Sequence, residues 1–331
     1  MRTRPAPMHP SPPMRPDFAT RAAAAERERA EALGRSLADE LQNPEDLVGA
    51  LARGLRSLAD PVQLAEQRRD APGIGRAFGV RWPVIEAVQR GFRVETRRDR
   101  GIAAFLAIAD RLLGEPELEL HWFAFGLLER TLAGDPERSW QLLRRAARQA
   151  ADWITVDALA QPWGRGILAE AYRWSELEQL VFSPSRWERR LVGSTIATLP
   201  YVDRAAGRSP EVAARGLSIL EGLLGDDDPT VQKALAWALR NLTLVNRDAV
   251  DRVVLRETAL ARESSDGNRA AVLRDTTAGL SPTTAARVRA DLTGIRRRAG
   301  EPSTSAASRA VARFAGPDGL PDPLTHPEPR Q

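Results

Sequence analysis

Apolar residues in this chain recur at steps of three and four, and no segment shows a credible alternation of apolar and polar residues at a strand's period. In 138–150, Trp140, Leu143, Ala147 and Ala150 follow one another at steps of 3, 4 and 3, while Arg144, Arg145 and Arg148 fall off that line. In 231–242, Val231, Leu235, Leu239 and Leu242 follow at steps of 4, 4 and 3. Such steps align side chains along one face of an α-helix. Alanine and leucine dominate the apolar residues and there are only 2 tyrosines, which favours helix over sheet. The expected fold class is all-α.

The helical stretches are separated by short breaks rich in Pro, Gly, Asp and Ser. They read NPED (43–46), GEPE (114–117), GDPERS (134–139), SPSR (183–186), GRSPE (207–211) and GDDDPT (225–230). Several put Pro or an acid in a first helical turn, as helix starts do. Helix pairs of about 35–45 residues in series read as an α-solenoid of HEAT-like repeats, with a concave basic face. The 331 residues, 43% hydrophobic, suffice for one large domain or two ordinary ones. The expected division is a disordered Pro/Arg-rich tail over 1–17, a repeat domain over 18–298, and a mostly disordered tail over 299–331 containing a short helix around 305–314.

Composition excludes several kinds of chemistry. With no cysteine there are no disulfides, iron–sulfur clusters or thiolate zinc sites. Histidines stand only at 9, 121 and 326, too scattered to suggest a metal site, and no cofactor is expected. No apolar run approaches the roughly 18 residues of a membrane helix, and the N-terminus has no apolar core of a secretory signal. A cytoplasmic protein, associated with the nucleoid through DNA, is the expectation. Lys233 is the only lysine among 48 Lys+Arg. A net charge of +4 and a pI of about 10.3 permit a polyanionic partner without requiring one, because clustering matters more than the sum.

Three helices carry informative residues off their apolar stripes. In PTVQKALAWALRNLT (229–243), Trp237 lies off the stripe, with Lys233, Arg240 and Asn241 as its i−4, i+3 and i+4 neighbours. Either a neighbouring helix covers this tryptophan, or it belongs to an aromatic surface in a basic concavity suited to a nucleic-acid backbone. In PSRWERRLVGSTIATL (184–199), Arg186, Arg190, Gly193 and Ser194 share a face. That face is either an ordinary solvated one, or two phosphate-matching forks followed by room for a backbone to approach. In ADWITVDAL (151–159), Ile154, Ala158 and Leu159 are expected in the core, while Trp153 and Asp157 share another face. This is either a structural Trp–Asp pair or a site. A carboxylate beside an aromatic surface stabilises a developing cation and orients a water, as glycosidic cleavage through an oxocarbenium-like state requires.

These three pieces resemble, in order, the motifs of the AlkD-type DNA alkylation repair glycosylases, a HEAT-like-repeat family. DWITVDALA is similar to its Trp-x-x-x-Asp motif, RWERRLVGS to its Trp-x-x-Arg, and VQKALAWALR to its Gln-Lys-Ala-x-x-Trp-x-x-Arg helix. FGVRWPVIEAV (78–88) resembles an earlier helix start through Gly79, Val80 and Pro83. The Arg often found after that Pro is not supplied by Ile85 or Glu86. ELHWFAFGLLER (119–130) resembles the next helix, and the likeness covers roughly 40–260.

The resemblance implies that Trp153 and Trp237 line a cleft beside the lesion, that Asp157 is the catalytic carboxylate, that Arg190 holds a phosphate, and that Lys233 contacts the backbone. Arg186, Arg189, Arg240, Trp187, Ser194 and Arg148 are further candidates for DNA contact. Trp122, Trp163 and Trp174 are expected in the core. The implied substrate is duplex DNA carrying cationic N3- or N7-alkylpurines, cleaved by a monomer without extruding the base. Strand nicking through a Schiff base needs an amine, and the single lysine with its polar and cationic neighbours predicts a monofunctional enzyme. The alternative is a non-catalytic HEAT-like scaffold that binds DNA or protein.

Overall fold

A computed structural model describes residues 18–98 and 101–314. These form α1 (Phe18–Ser36), α2 (Pro44–Ser57), α3 (Pro61–Asp70), α4 (Trp82–Glu95), α5 (Ile102–Leu113), α6 (Leu118–Thr131), α7 (Pro136–Gln149) and α8 (Trp153–Ala169). The chain continues through α9 (Trp174–Leu180), α10 (Arg186–Val202), α11 (Pro210–Leu223), α12 (Pro229–Ser264), α13 (Gly267–Thr276), α14 (Pro282–Asp291) and α15 (Ala306–Phe314). No strand occurs among the described residues; an isolated bridge joins Arg76 to Glu117. None of the described helices is long and apolar enough to cross a membrane. The tail over 1–17 and residues 315–331 lie outside the described residues.

The breaks become helix caps. Asn43, Asp135, Ser209 and Asp228 each accept a backbone N–H of the helix they precede. Pro44, Pro136, Pro210 and Pro229 occupy the first helical position, where a missing N–H costs nothing. Both stripes are buried: Trp140, Leu143 and Ala147 in α7 with Ala150 just past its end, and Val231, Leu235, Leu239 and Leu242 in α12. Trp122, Trp163 and Trp174 are also buried. Helix α12 runs past the expected end, with a break at Asn246, whose side chain accepts the N–H of Ala249 and restarts the helix.

Helices α4, α6, α8, α10 and α12 pack each on the next and form one layer. Helices α5, α7, α9 and α11 lie against it as the first members of successive pairs. This is a solenoid arrangement, in which each unit buries its apolar face only against its neighbours. Close contacts use small residues. A Cβ at Gly193 of α10 would come within 3.0 Å of Ala234 and Leu235 in α12. The connection after α3 is held from below: the fully buried carboxylate of Glu119 accepts the N–H groups of Phe78, Gly79 and Val80 at 2.8–2.9 Å. Gly79 sits at φ +86, and a Cβ there would meet the Asp60 carbonyl. The chain after Gly300 also packs. Thr304 N–H donates to the Gly225 carbonyl at 2.9 Å, and Ala307 of α15 is buried beside α11.

Two stability predictions follow from buried polar groups. Glu119→Ala strands three N–H donors and should cost on the order of 3 kcal/mol in urea unfolding, more than Glu119→Gln, which keeps an acceptor. His121 is half-buried, and burial pushes its pKa below the ordinary value although its Nε2 lies 2.7 Å from the Glu115 carbonyl. Protonation therefore favours the unfolded chain, so stability should fall as pH drops below about 6.5. That part of the pH dependence should vanish in His121→Gln.

Candidate functional site

Helix α8 starts at a well-built cap. Asp152 accepts the Thr155 N–H at 2.8 Å and its hydroxyl at 2.7 Å, which fixes the entry angle of the helix. Trp153 is the first helical residue, and its indole N–H donates to the Asp70 carbonyl at the end of α3, at 2.9 Å. The ring is thereby tied to the loop that precedes α4. One turn further, Asp157 meets α10. Arg190 donates to both its oxygens, Nε to Oδ1 at 3.1 Å and a terminal N–H to Oδ2 at 2.7 Å, and Ser194 donates to Oδ1 at 2.6 Å.

The remaining terminal nitrogen of Arg190 donates to the Thr230 carbonyl at 2.6 Å, in the first turn of α12. Its guanidinium carbon also lies 5.7 Å from the Trp153 ring centre, within reach of a cation–π contact. One side chain thus joins α8, α10 and α12. The Arg190 side chain is 6% exposed, whereas that of Asp157 keeps 21%. The carboxylate is oriented from α10, and the side chain that carries it remains partly exposed.

A cleft of about 650 Å³ lies between loop residues 70–73 and the starts of α8, α10 and α12; Trp153, Arg186, Trp187, Arg190 and Lys233 line it. Asp157 is not part of the lining; it stands one turn behind Trp153 along α8. The starts of α8, α10 and α12 border the cleft; Asp152 and Asp228 cap the first and third, while α10 has no side-chain cap. Arg186 is exposed, with its guanidinium 4.8 Å from the Trp187 ring centre and 3.7 Å from Asp228. Lys233 is exposed. Burial alone would raise the Asp228 carboxyl, but hydrogen bonds from Thr230 and Val231, with Arg186 nearby, hold it below its ordinary value.

Several candidates stand elsewhere. Arg189 is tied to Asp226 at 2.7 Å and to the Ser183 and Pro184 carbonyls, so it fastens the start of α10 and not a ligand. Arg240 pairs with Asp275 of α13 at 3.3 Å. Arg148 is exposed in a shallow groove with Trp163 and Glu188, away from the cleft. Trp237 is half-buried one turn beyond Lys233, packed on the core, and does not line the cleft.

Gly193 and Ser194, expected to leave room for a nucleic-acid backbone, are buried. The room at Gly193 is filled by α12 of the same chain, and Ser194 is spent on Asp157. Arg190, expected on a phosphate, has its donors engaged inside the protein. Ile154 and Ala158, expected in the core, are only half-buried, while Val156 and Leu159 are buried.

The residues that sequence reasoning missed are Asp70, Thr230 and the loop from Ala71 to Gly73. The stretch DAPG (70–73) carries no local signal of this role, because its position opposite Trp153 is set 83 residues away in sequence. A second groove of about 480 Å³ runs along α4, α6 and α8, lined by Trp82, Glu86, Gln89, Arg93, Gln161 and Arg165 among others. Glu86 is exposed there.

Fold and site together define an α-helical repeat protein with an anion-favouring, tryptophan-lined cleft beside an oriented carboxylate. The chain belongs to the family described as DNA alkylation repair enzyme, which it matches over residues 51–268. Comparison with curated proteins and with solved structures finds no match. The protein is accordingly an enzyme of DNA alkylation repair, with DNA as its partner.

The two arginines of α10 should differ in what they support. Arg190→Ala leaves Asp157 without its ion partner and should cost about 2–4 kcal/mol in thermal or urea unfolding. Arg186→Ala removes an exposed side chain and should cost less than about 1 kcal/mol.

Proposed function

We propose that the protein is a monofunctional DNA glycosylase that hydrolyses the N-glycosidic bond of cationic N3- or N7-alkylated purines in duplex DNA. The observation that carries this reading is Asp157, gripped by Arg190 and Ser194 yet with a fifth of its side chain exposed, one helical turn from Trp153. An alkylated purine already bears positive charge, so the C1′–N bond breaks with its electron pair going to the base, which leaves neutral. No general acid is needed. The positive charge that develops on the sugar is met by a carboxylate whose orientation is set before the reaction, which costs no reorganisation. Water adds to C1′, and its proton passes to Asp157.

Trp153 offers an aromatic face to the sugar and backbone at the lesion. Arg186 and Lys233, at helix N-termini, contact flanking phosphates. Arg190 lines the cleft while its donors hold Asp157 and the Thr230 carbonyl, so its part is to orient the carboxylate before the sugar arrives. Such a cleft acts on the lesion without extruding the base, and the protein acts as a monomer. Lys233 is exposed, whereas a Schiff-base amine is activated by desolvation or by an adjacent cationic group; the strand is left intact.

A non-catalytic DNA-binding scaffold is favoured by one feature. The Asp157–Arg190 pair ties α8 to α10 and would be kept for that reason alone. Incubation with a duplex carrying 7-methylguanine separates the two readings. Free 7-methylguanine should appear, with no strand nicking until heat or base is added. Binding without base release would favour the scaffold, and nicking without added base would contradict monofunctionality. The affinity should fall roughly linearly on a log–log plot against salt, because phosphate contacts release counterions.

A further inference from the structure

The segment from Pro302 to Ser305 lies beyond the family match, which ends at 268, yet it is packed against the same corner of the molecule as the cleft. Thr304 N–H and the Ser303 and Thr304 hydroxyls converge on the Gly225 carbonyl, at 2.9, 3.3 and 3.4 Å. Gly225 adopts φ +96, and a Cβ there would collide with Thr304 Oγ1, so the close approach requires glycine. The Thr304 hydroxyl also donates to Asp266, which caps α13 and pairs with Arg269. The Pro302 carbonyl accepts from Asn268 at 3.4 Å.

The loop held in this way, 225–228, grips the site from its other side. Asp226 is buried and takes the Arg189 guanidinium of α10 at 2.7 Å. Its carbonyl accepts from Gln232 of α12 at 2.6 Å, and Gln232 in turn accepts from Arg297 at 3.3 Å. Asp228 caps α12 through Thr230 and Val231. Thr230 is the residue whose carbonyl holds Arg190, and Arg190 holds Asp157. A short chain of contacts therefore runs from the C-terminal segment, through loop 225–228, to the carboxylate.

We propose that residues 302–305 are a positioning element of the site: they clamp loop 225–228 so that the starts of α10 and α12 stay in register and Arg190 keeps Asp157 oriented. Thr304 and Asp226 are positioning residues in this scheme, since neither touches substrate. The proposal rests on the glycosylase reading for its effect on rate, but not for the clamp itself.

The test compares full-length Thr304→Val, Thr304→Ser and Asp226→Asn with wild type. Base release from a 7-methylguanine duplex is followed in single turnovers at saturating protein, alongside the duplex Kd and amide hydrogen exchange. Thr304→Val and Asp226→Asn should slow release about tenfold, because small misplacements of a reacting group are costly, while Kd moves by less than about twofold. Thr304→Ser keeps the hydroxyl and should retain the wild-type rate. Exchange over 225–232 should quicken by about tenfold in the two slow variants, with α5 and α6 unchanged, as expected for a local loosening. Wild-type release rates in both variants, or a change in Kd alone, would overturn the proposal. If wild type itself releases no base, the glycosylase reading fails. The clamp is then judged by exchange, where quickened amides over 225–232 support it and unchanged ones overturn it.

Discussion

The guanidinium of Arg190 is shared between the Asp157 carboxylate and the Thr230 carbonyl, so three successive helices of one layer meet on a single side chain. Buried ion pairs are poor sources of net stability, because removing both charges from water offsets most of their attraction. What this pair supplies is direction. Both carboxylate oxygens have fixed donors on α10, and a fifth of the side chain stays exposed. The packing around it follows. Gly193 admits α12 closely enough for Thr230 to reach Arg190, and Ser194 is small enough to donate to Asp157 from beside it.

The helix caps serve the cleft as well as the helices. Asp152 and Asp228 set the starts of α8 and α12, and these starts, with that of α10, form one wall of the cleft. The opposite wall is the loop after α3, whose Asp70 carbonyl holds the Trp153 indole. That loop leads to Gly79, and Glu119 gathers three N–H groups around it. A buried carboxylate so engaged is costly to perturb, which gives the loop a fixed seat. Both walls are therefore anchored by acidic side chains that are spent internally, while Lys233 and Arg186 stay exposed within the cleft.

Periodicity and break composition made the helices and their starts readable, because both are set by local chemistry. The stripes through Trp140 and Val231 and the caps at Asn43, Asp135, Ser209 and Asp228 stand where local rules put them. The partners of off-stripe cations were not readable. Arg186, Arg189 and Arg190 are consecutive or nearly so, yet one is exposed, one is tied to Asp226 and one to Asp157. A helix is a cylinder, and which of its polar directions meets another helix depends on residues 30 to 40 positions away. The same limit applies to Gly193, where small size signalled a close approach but not by what. Trp237 was correctly placed off the stripe, but its half-burial beside the core is a matter of tertiary packing.

The most direct measurement is the single-turnover rate of N-glycosidic cleavage by Asp157→Asn at saturating protein, set beside its affinity for the same alkylated duplex. Asn keeps the shape of the side chain and removes its charge. The rate should fall by roughly 10²–10³, the loss typical of removing one preorganised electrostatic group, with duplex affinity little changed. A variant that cleaves as fast as wild type would show that Asp157 serves only to join α8 to α10.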